Sequence, residues 1–150
     1  MKYKKVAVGG TFDKFHYGHR RLLSKAFEIG EYVEIGVTSN AFASVKGDID
    51  SCSVRMANLS DFLSEDYDNF HISRLDDSFG PTVEDDSFDA IVVSEETEPT
   101  AVEINKIRKS KGMSELDIVV ISFVLAKDKI PISSTRIRAG EIDKEGHLLN

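Results

Sequence analysis

The chain has 150 residues, 41% hydrophobic and 30% charged, with a formal net charge of −7, the size of one domain (1–150) able to bury a continuous core without cross-links. One cysteine, Cys52, excludes an internal disulfide and any multi-cysteine metal site, and the acidic balance argues against general nucleic-acid binding. The longest nearly apolar run, 117–126, is about half the length a bilayer span needs, and no apolar stretch of signal-peptide length precedes the first Gly pair; a cytoplasmic protein without a membrane partner is expected.

In chain order, "KVAVGG" reads as a first strand ending in turn residues. A helix follows from near Tyr17, with Leu22, Leu23, Ala26 and Phe27 on one face and Gly30 as its C-terminal cap. "YVEIGVTS" is the second strand, and Val54, Leu59, Phe62 and Leu63 predict a second apolar helix face over about 53–64, with Cys52 a small packing or loop residue. "FHISRL" is the third strand. The polar segment 76–89 predicts a mobile surface loop with at most a helical turn after Pro81. "DAIVVS" is the fourth strand, and the next helix opens at Pro99, runs through Val102, Ile104 and Ile107 and stops near Gly112. The run 117–126 reads as a buried fifth strand, and a short helix is expected from Ser133 or Ser134. This alternation specifies an α/β, Rossmann-like single domain: a five-stranded parallel sheet with helices on both faces. Ligands of such sheets bind beyond the carboxyl ends of the strands.

Two segments at those ends carry chemistry. "GGTFDKFHYGH" (9–19) joins a Gly pair, which permits close approach of a ligand, to a helix N-terminus, whose free N–H groups suit an anion. It is neither a dinucleotide fingerprint nor a P-loop. His16 lies just before the helix and His19 in its first turn, so both imidazoles can face a bound phosphate. The alternatives are a capping or packing histidine, or a shared metal ion for which no Cys or Glu-x-x-His partner is evident. "PISSTRIRAGE" (131–141) places Ser133, Ser134 and Thr135 at a helix start, with Arg136 and Arg138 one turn on. Alone it is an N-cap with a solvated arginine; beside the first segment it is a second phosphate clamp. Charge supports an anionic ligand: residues 1–25 hold seven Lys or Arg against Asp13, whereas 61–89 hold ten acids against Arg74.

Together, "GGTFDKFHYGH" and "ISSTRIR" resemble the two signatures of the nucleotidylyltransferase superfamily, T/H-x-G-H after the first strand and I-S-S-T-x-x-R late in the chain. Within it, "VGGTFDKFHYGHRRLL" is most similar to the phosphopantetheine adenylyltransferases of the archaeal and eukaryotic type. The resemblance implies transfer of the adenylyl group of ATP to 4′-phosphopantetheine, giving dephospho-coenzyme A and pyrophosphate. It implies that Gly10, Thr11, His16, His19, Ser133, Ser134, Thr135 and Arg138 hold the nucleotide. Thr11, Lys46 (in "TSNAFASVK"), Arg55, Ser94 and Thr97 would face the acceptor, and His19, Lys46 and Thr11 would carry the catalysis. After the fourth strand "VVSEETEPT" departs from the bacterial members, which place arginines there for the pantetheine phosphate. Lys46 and Arg55, then Arg108, are the cations left for that phosphate.

The implied chemistry needs no general base, because a phosphate monoester is mostly dianionic at neutral pH. Alignment and stabilisation of charge during in-line displacement suffice. Mg²⁺ is expected with ATP, held mainly by substrate oxygens and water, without a protein cage. Other acceptors, FMN or nicotinamide mononucleotide, share the motifs, and a non-catalytic ATP-binding module is a further alternative. The cytidylyltransferases, with R-T-x-G-I-S-T-T where this chain has "KDKIPISSTRIR", fit less well. Nothing in the sequence sets an oligomeric state.

Overall fold

A computed structural model describes residues 3–13, 15–43, 49–122, 126–130, 132, 136–137 and 139–149. Five strands, β1 (Tyr3–Gly10), β2 (Gly30–Thr38), β3 (Phe70–Leu75), β4 (Ala90–Ser94) and β5 (Asp117–Ile121), form one sheet in the order β3-β2-β1-β4-β5. Every pairing is parallel. The connections carry α1 (Tyr17–Ile29), the short α2 (Asn40–Ala43), α3 (Cys52–Ser64), a 3₁₀ turn (Gly80–Val83) and α4 (Glu98–Ser110).

The two-residue alternation of the strands divides the core. Val6, Val8, Val33, Ile35, Ala90 and Val92 face Leu23, Ala26 and Phe27 of α1 and Leu59 and Leu63 of α3. Ala7, Ile91 and Val93 face Ala101 and Ile104 of α4 on the other side. Helices therefore cover both faces, as right-handed crossovers running outward in two directions from the centre require. The order in which strands are laid down reverses between the adjacent, parallel β1 and β4, the place where such sheets open a ligand crevice.

The structure bears out Gly30 as the C-terminal cap of α1 and corrects other expectations. Gly30 ends α1 in extended backbone, φ −111° and ψ 138°, and is also the first residue of β2. Glycine is required there by space, because a Cβ would lie 2.7 Å from Val6 Cγ2. Val54 is 46% and Val102 42% exposed, since α3 and α4 each turn a different stripe inward. Those stripes include Arg55, Asn105 and Arg108, polar residues that an apolar periodicity overlooks. Cys52 is buried at the start of α3.

The fifth strand stops at Ile121 and is an edge strand with Val120 exposed, not a strand buried on both faces; residues 123–125 lie outside the described residues. The segment 76–89 buries Thr82 and Phe88, and its 3₁₀ turn begins one residue before Pro81. Arg108 pins it by donating from Nη1 to the carbonyls of Thr82 (2.6 Å) and Asp85 (3.1 Å), and from Nη2 to that of Phe88 (3.5 Å).

Candidate active site

β1 runs out through Gly9 and Gly10, and the chain then turns sharply. Phe12 adopts left-handed backbone, φ 53°, which costs a non-glycine residue about 1–2 kcal/mol. Burial of its ring offsets that cost: Phe12 is 3% exposed, covers Gly10 and lies 5.3 Å from the His19 ring. The turn leaves Thr11 at the carboxyl end of β1 and delivers the chain to α1.

His16 is the N-cap of α1 and His19 its third residue. His16 Nδ1 accepts from the Gly18 N–H at 3.0 Å, and His19 Nδ1 accepts from the His16 N–H at 3.2 Å, a reciprocal capping box made by two imidazoles. The rings stack at 3.8 Å between centroids, 19° apart. A backbone N–H can only donate, so each Nδ1 carries no proton and each ring holds its proton on Nε2. The cap thus supplies two neutral imidazoles with fixed tautomers. Burial pushes His16 down from 6.5 to about 4, which keeps it neutral at physiological pH. Gly18 is required for the same geometry: a Cβ there would lie 2.7 Å from His16 Cε1. The capping reading of the histidine pair and the ligand-facing reading are therefore compatible, because capping uses Nδ1 and puts each ring proton on Nε2.

Beneath this turn lies Arg55, 1% exposed, from the first turn of α3. Its Nε donates to the Asp50 carbonyl at 2.8 Å, and its Nη1 to the Thr11 carbonyl at 2.9 Å and Thr38 Oγ1 at 3.1 Å. Nη2 is buried without a hydrogen-bond partner among the described residues. Thr38 Oγ1 in turn donates to Thr11 Oγ1 at 3.1 Å. Asp13, 1% exposed, accepts from the Asp50 N–H, and Asn40 accepts from the Cys52 N–H at 2.6 Å. The ends of β1 and β2 and the start of α3 are thereby tied into one platform. Lys46 lies outside the described residues.

Ser94 and Thr97 close the turn after β4. The Thr97 N–H donates to the Ser94 carbonyl at 3.1 Å, and Thr97 Oγ1 accepts from the Ser94 N–H at 3.1 Å. β4 pairs with β1, so this turn stands at the same sheet edge as Thr11. Arg108 does not. It occupies the last turn of α4 and reaches the carbonyl of Phe88 before β4, at the opposite edge, with Nε on Ser114; it is a structural arginine, and its candidacy for the acceptor phosphate falls.

Ser133, Ser134, Thr135 and Arg138 lie outside the described residues, but their neighbours are placed. Ile132 and Ile137 join Ala126, Ile142 and Tyr17 in a small apolar cluster. The Tyr17 N–H donates to the Lys144 carbonyl, and Tyr17 Oη to Glu145. Residues on both sides of the second motif are thus docked at the first residue of α1. Arg136 is committed to the Asp128 and Glu141 carboxylates, which hold it firmly charged and remove it from the phosphate-binding reading of that motif.

A cavity of about 590 Å³ runs from Tyr17 along α1 beside the end of β5, lined by Arg20, Arg21 and Lys25. Glu28 shares this lining and pairs with Lys25 at 3.7 Å, so Arg20 and Arg21 supply its net positive charge. No group of three or more His, Cys, Asp or Glu that could hold a metal occurs among the described residues, and no helix among them is long and apolar enough to cross a membrane.

Residues 7–140 match the family model described as cytidylyltransferase-like. The chain belongs to that family. It is 60% identical over 149 residues to the phosphopantetheine adenylyltransferase of Methanothermobacter thermautotrophicus, covering 99% of this chain and 91% of that protein. The resemblance read from the two motifs thus extends along the whole chain. Among solved structures, an Archaeoglobus fulgidus protein of unknown function superposes with a TM-score of 0.73 at 32% identity, covering 78% of this chain and 88% of that one. A bifunctional nicotinamide mononucleotide adenylyltransferase/ADP-ribose pyrophosphatase from Francisella tularensis shares the fold, with a TM-score of 0.59 at 17% identity over 91% of this chain and 41% of that one.

Sequence reasoning missed Thr38, Asp13, Asn40 and Phe12. Each acts on another protein group, through a contact made only in the fold. The one signal was local: Thr-Ser-Asn at the carboxyl end of a strand beside the Gly pair.

Proposed function

We propose that this member of the cytidylyltransferase-like family transfers the adenylyl group of ATP to 4′-phosphopantetheine, releasing pyrophosphate and forming dephospho-coenzyme A. The observation that carries the reading is the imidazole capping box at the β1/β4 switch point, which turns the ring protons onto Nε2 at the sheet edge where Thr11 ends β1, while the first N–H groups of α1 are taken by His16 and Lys144. The full-length similarity to a phosphopantetheine adenylyltransferase supports the choice of acceptor.

The acceptor phosphate arrives as a dianion and attacks the α-phosphorus of ATP in line with the departing pyrophosphate. No residue need remove a proton. His19 Nε2–H donates to the α-phosphoryl oxygens, where negative charge grows in the transition state. His16, stacked on it, donates on the nucleotide side. Thr11 and the N–H groups around Gly10 align the acceptor phosphate, with Ser94 and Thr97 at the neighbouring strand end. Lys46 is the bridging cation. Nε and Nη1 of Arg55 are spent on protein oxygens, so a direct acceptor role rests on its Nη2 alone. Ser133, Ser134, Thr135 and Arg138 complete the nucleotide-phosphate clamp. Mg²⁺ enters with ATP as part of the substrate, coordinated by phosphate oxygens and water.

The deciding experiment measures pyrophosphate release from ATP and Mg²⁺ with 4′-phosphopantetheine, FMN or nicotinamide mononucleotide. Release with 4′-phosphopantetheine alone is the expected result. Release with a rival acceptor keeps the reaction and overturns the substrate; silence with all three leaves a nucleotide-binding module.

A further inference from the structure

We infer that Thr38 is a positioning residue for adenylyl transfer: it passes a one-way hydrogen-bond chain from the buried Arg55 guanidinium to Thr11, so that the Thr11 hydroxyl can only donate outward. The inference rests on the adenylyl-transfer reading above.

Direction follows from the Arg55 donor together with the geometry of the Thr38–Thr11 contact. A guanidinium has five N–H donors and no acceptor, so at its 3.1 Å contact with Arg55 Nη1 the Thr38 oxygen must accept. Thr38 has one proton of its own, and its oxygen lies 3.1 Å from Thr11 Oγ1, to which it donates. Thr11 Oγ1 therefore accepts from inside, and its own proton turns away from Thr38. The same Nη1 also holds the Thr11 carbonyl, at 2.9 Å, fixing the backbone from which that hydroxyl projects.

Arg55 and Thr38 are 1% and 7% exposed, so both links of the chain lie in the interior. Thr11 is only partly buried, at the mouth of the crevice. A positive charge at the inner end polarises each link toward the next, strengthening the outermost donor. A hydroxyl free to rotate would present lone pairs to a phosphate oxygen in part of its rotamers, which is repulsive. The chain removes those states before the ligand arrives, which is the preorganisation that electrostatic catalysis depends on.

The test is a double-mutant cycle on Thr38→Val and Thr11→Val, read in kcat for transfer to 4′-phosphopantetheine and in the Kd of 4′-phosphopantetheine measured by calorimetry without ATP. Thr38→Val keeps shape and removes the donor, and should lower kcat about tenfold, the worth of one hydrogen bond. Thr38→Ser restores the hydroxyl and should recover activity to within about twofold of the wild type. The double variant should be no slower than Thr11→Val alone, because Thr38 acts only through the Thr11 hydroxyl. A Thr38→Val enzyme with normal kcat, or effects that add in the double variant, overturns the inference. Thr38→Ala replaces Thr38→Val if circular dichroism shows the latter unfolded. Silence of the wild-type protein with 4′-phosphopantetheine refutes that acceptor, and silence with FMN and nicotinamide mononucleotide as well refutes the adenylyl-transfer reading. The binding cycle then decides whether Thr38 acts through Thr11: non-additive losses uphold it and additive ones end it.

Discussion

Acid should destabilise this protein through one identifiable group, His16. Its imidazole is 6% exposed and accepts from the Gly18 N–H through Nδ1. Protonation would strand a charge in a buried position and set two donors against each other. Burial accordingly lowers its pKa from 6.5 to about 4. Between these values the unfolded chain binds a proton that the folded chain refuses, so folding stability falls as pH drops below about 6.5 and continues to fall toward about 4. Each pH unit inside that window is worth about 1.4 kcal/mol. From pH 7 to pH 5 the loss is about 2 kcal/mol, or roughly 4–8 °C in Tm for a domain of this size.

The comparison is His16→Asn, which keeps an N-cap acceptor that cannot be protonated. Carboxylates and the other histidines titrate in both proteins, so the difference in unfolding free energy between them isolates His16. Urea unfolding at pH 7, 6 and 5 should show the wild type losing about 2 kcal/mol more than the variant over that range. A constant offset caused by altered packing is irrelevant to the slope. A difference independent of pH would refute the reasoning, and with it the neutral, Nδ1-accepting tautomer of His16.

Other substitutions separate the site from its scaffold. His19→Ala should lower kcat about 10²–10³-fold while leaving ATP affinity nearly unchanged, because its donor acts on charge that appears in the transition state; steady-state kinetics and calorimetry together check it. Gly18→Ala improves intrinsic helix propensity by up to about 1 kcal/mol, yet its Cβ would meet His16 Cε1 at 2.7 Å. It should forfeit that gain and cut kcat/KM at least about tenfold, as a thermal melt beside an activity assay will show. Arg108→Met strands the carbonyls of Thr82, Asp85 and Ser114, a loss of at least about 3 kcal/mol in denaturant unfolding. Its KM for 4′-phosphopantetheine at low temperature should nonetheless equal that of the wild type, since it stands at the far edge of the sheet.

The local chain order was enough to set the order of strands and helices and the parallel sheet, because each depends on short-range periodicity and on the handedness of crossovers. The first motif was equally legible: Gly-Gly after a strand and two histidines at a helix start are a local arrangement, and Gly18 is explained by a contact two residues away.

What local pattern could not supply was the assignment of the buried polar groups. Arg55 and Arg108 are both arginines near helix ends and look alike in sequence. Packing puts one under Thr11 and the other at the opposite edge, a distinction that depends on which carbonyls the tertiary fold leaves needing donors. Thr38 reads as an ordinary strand-end threonine until β2 is laid beside β1 and α3 folds back over both. Arg136 looked like a phosphate ligand until the turns around it brought Asp128 and Glu141 within reach. Periodicity reports which residues avoid water; the direction in which a buried hydroxyl donates is decided by long-range neighbours, and only the assembled structure brings them together.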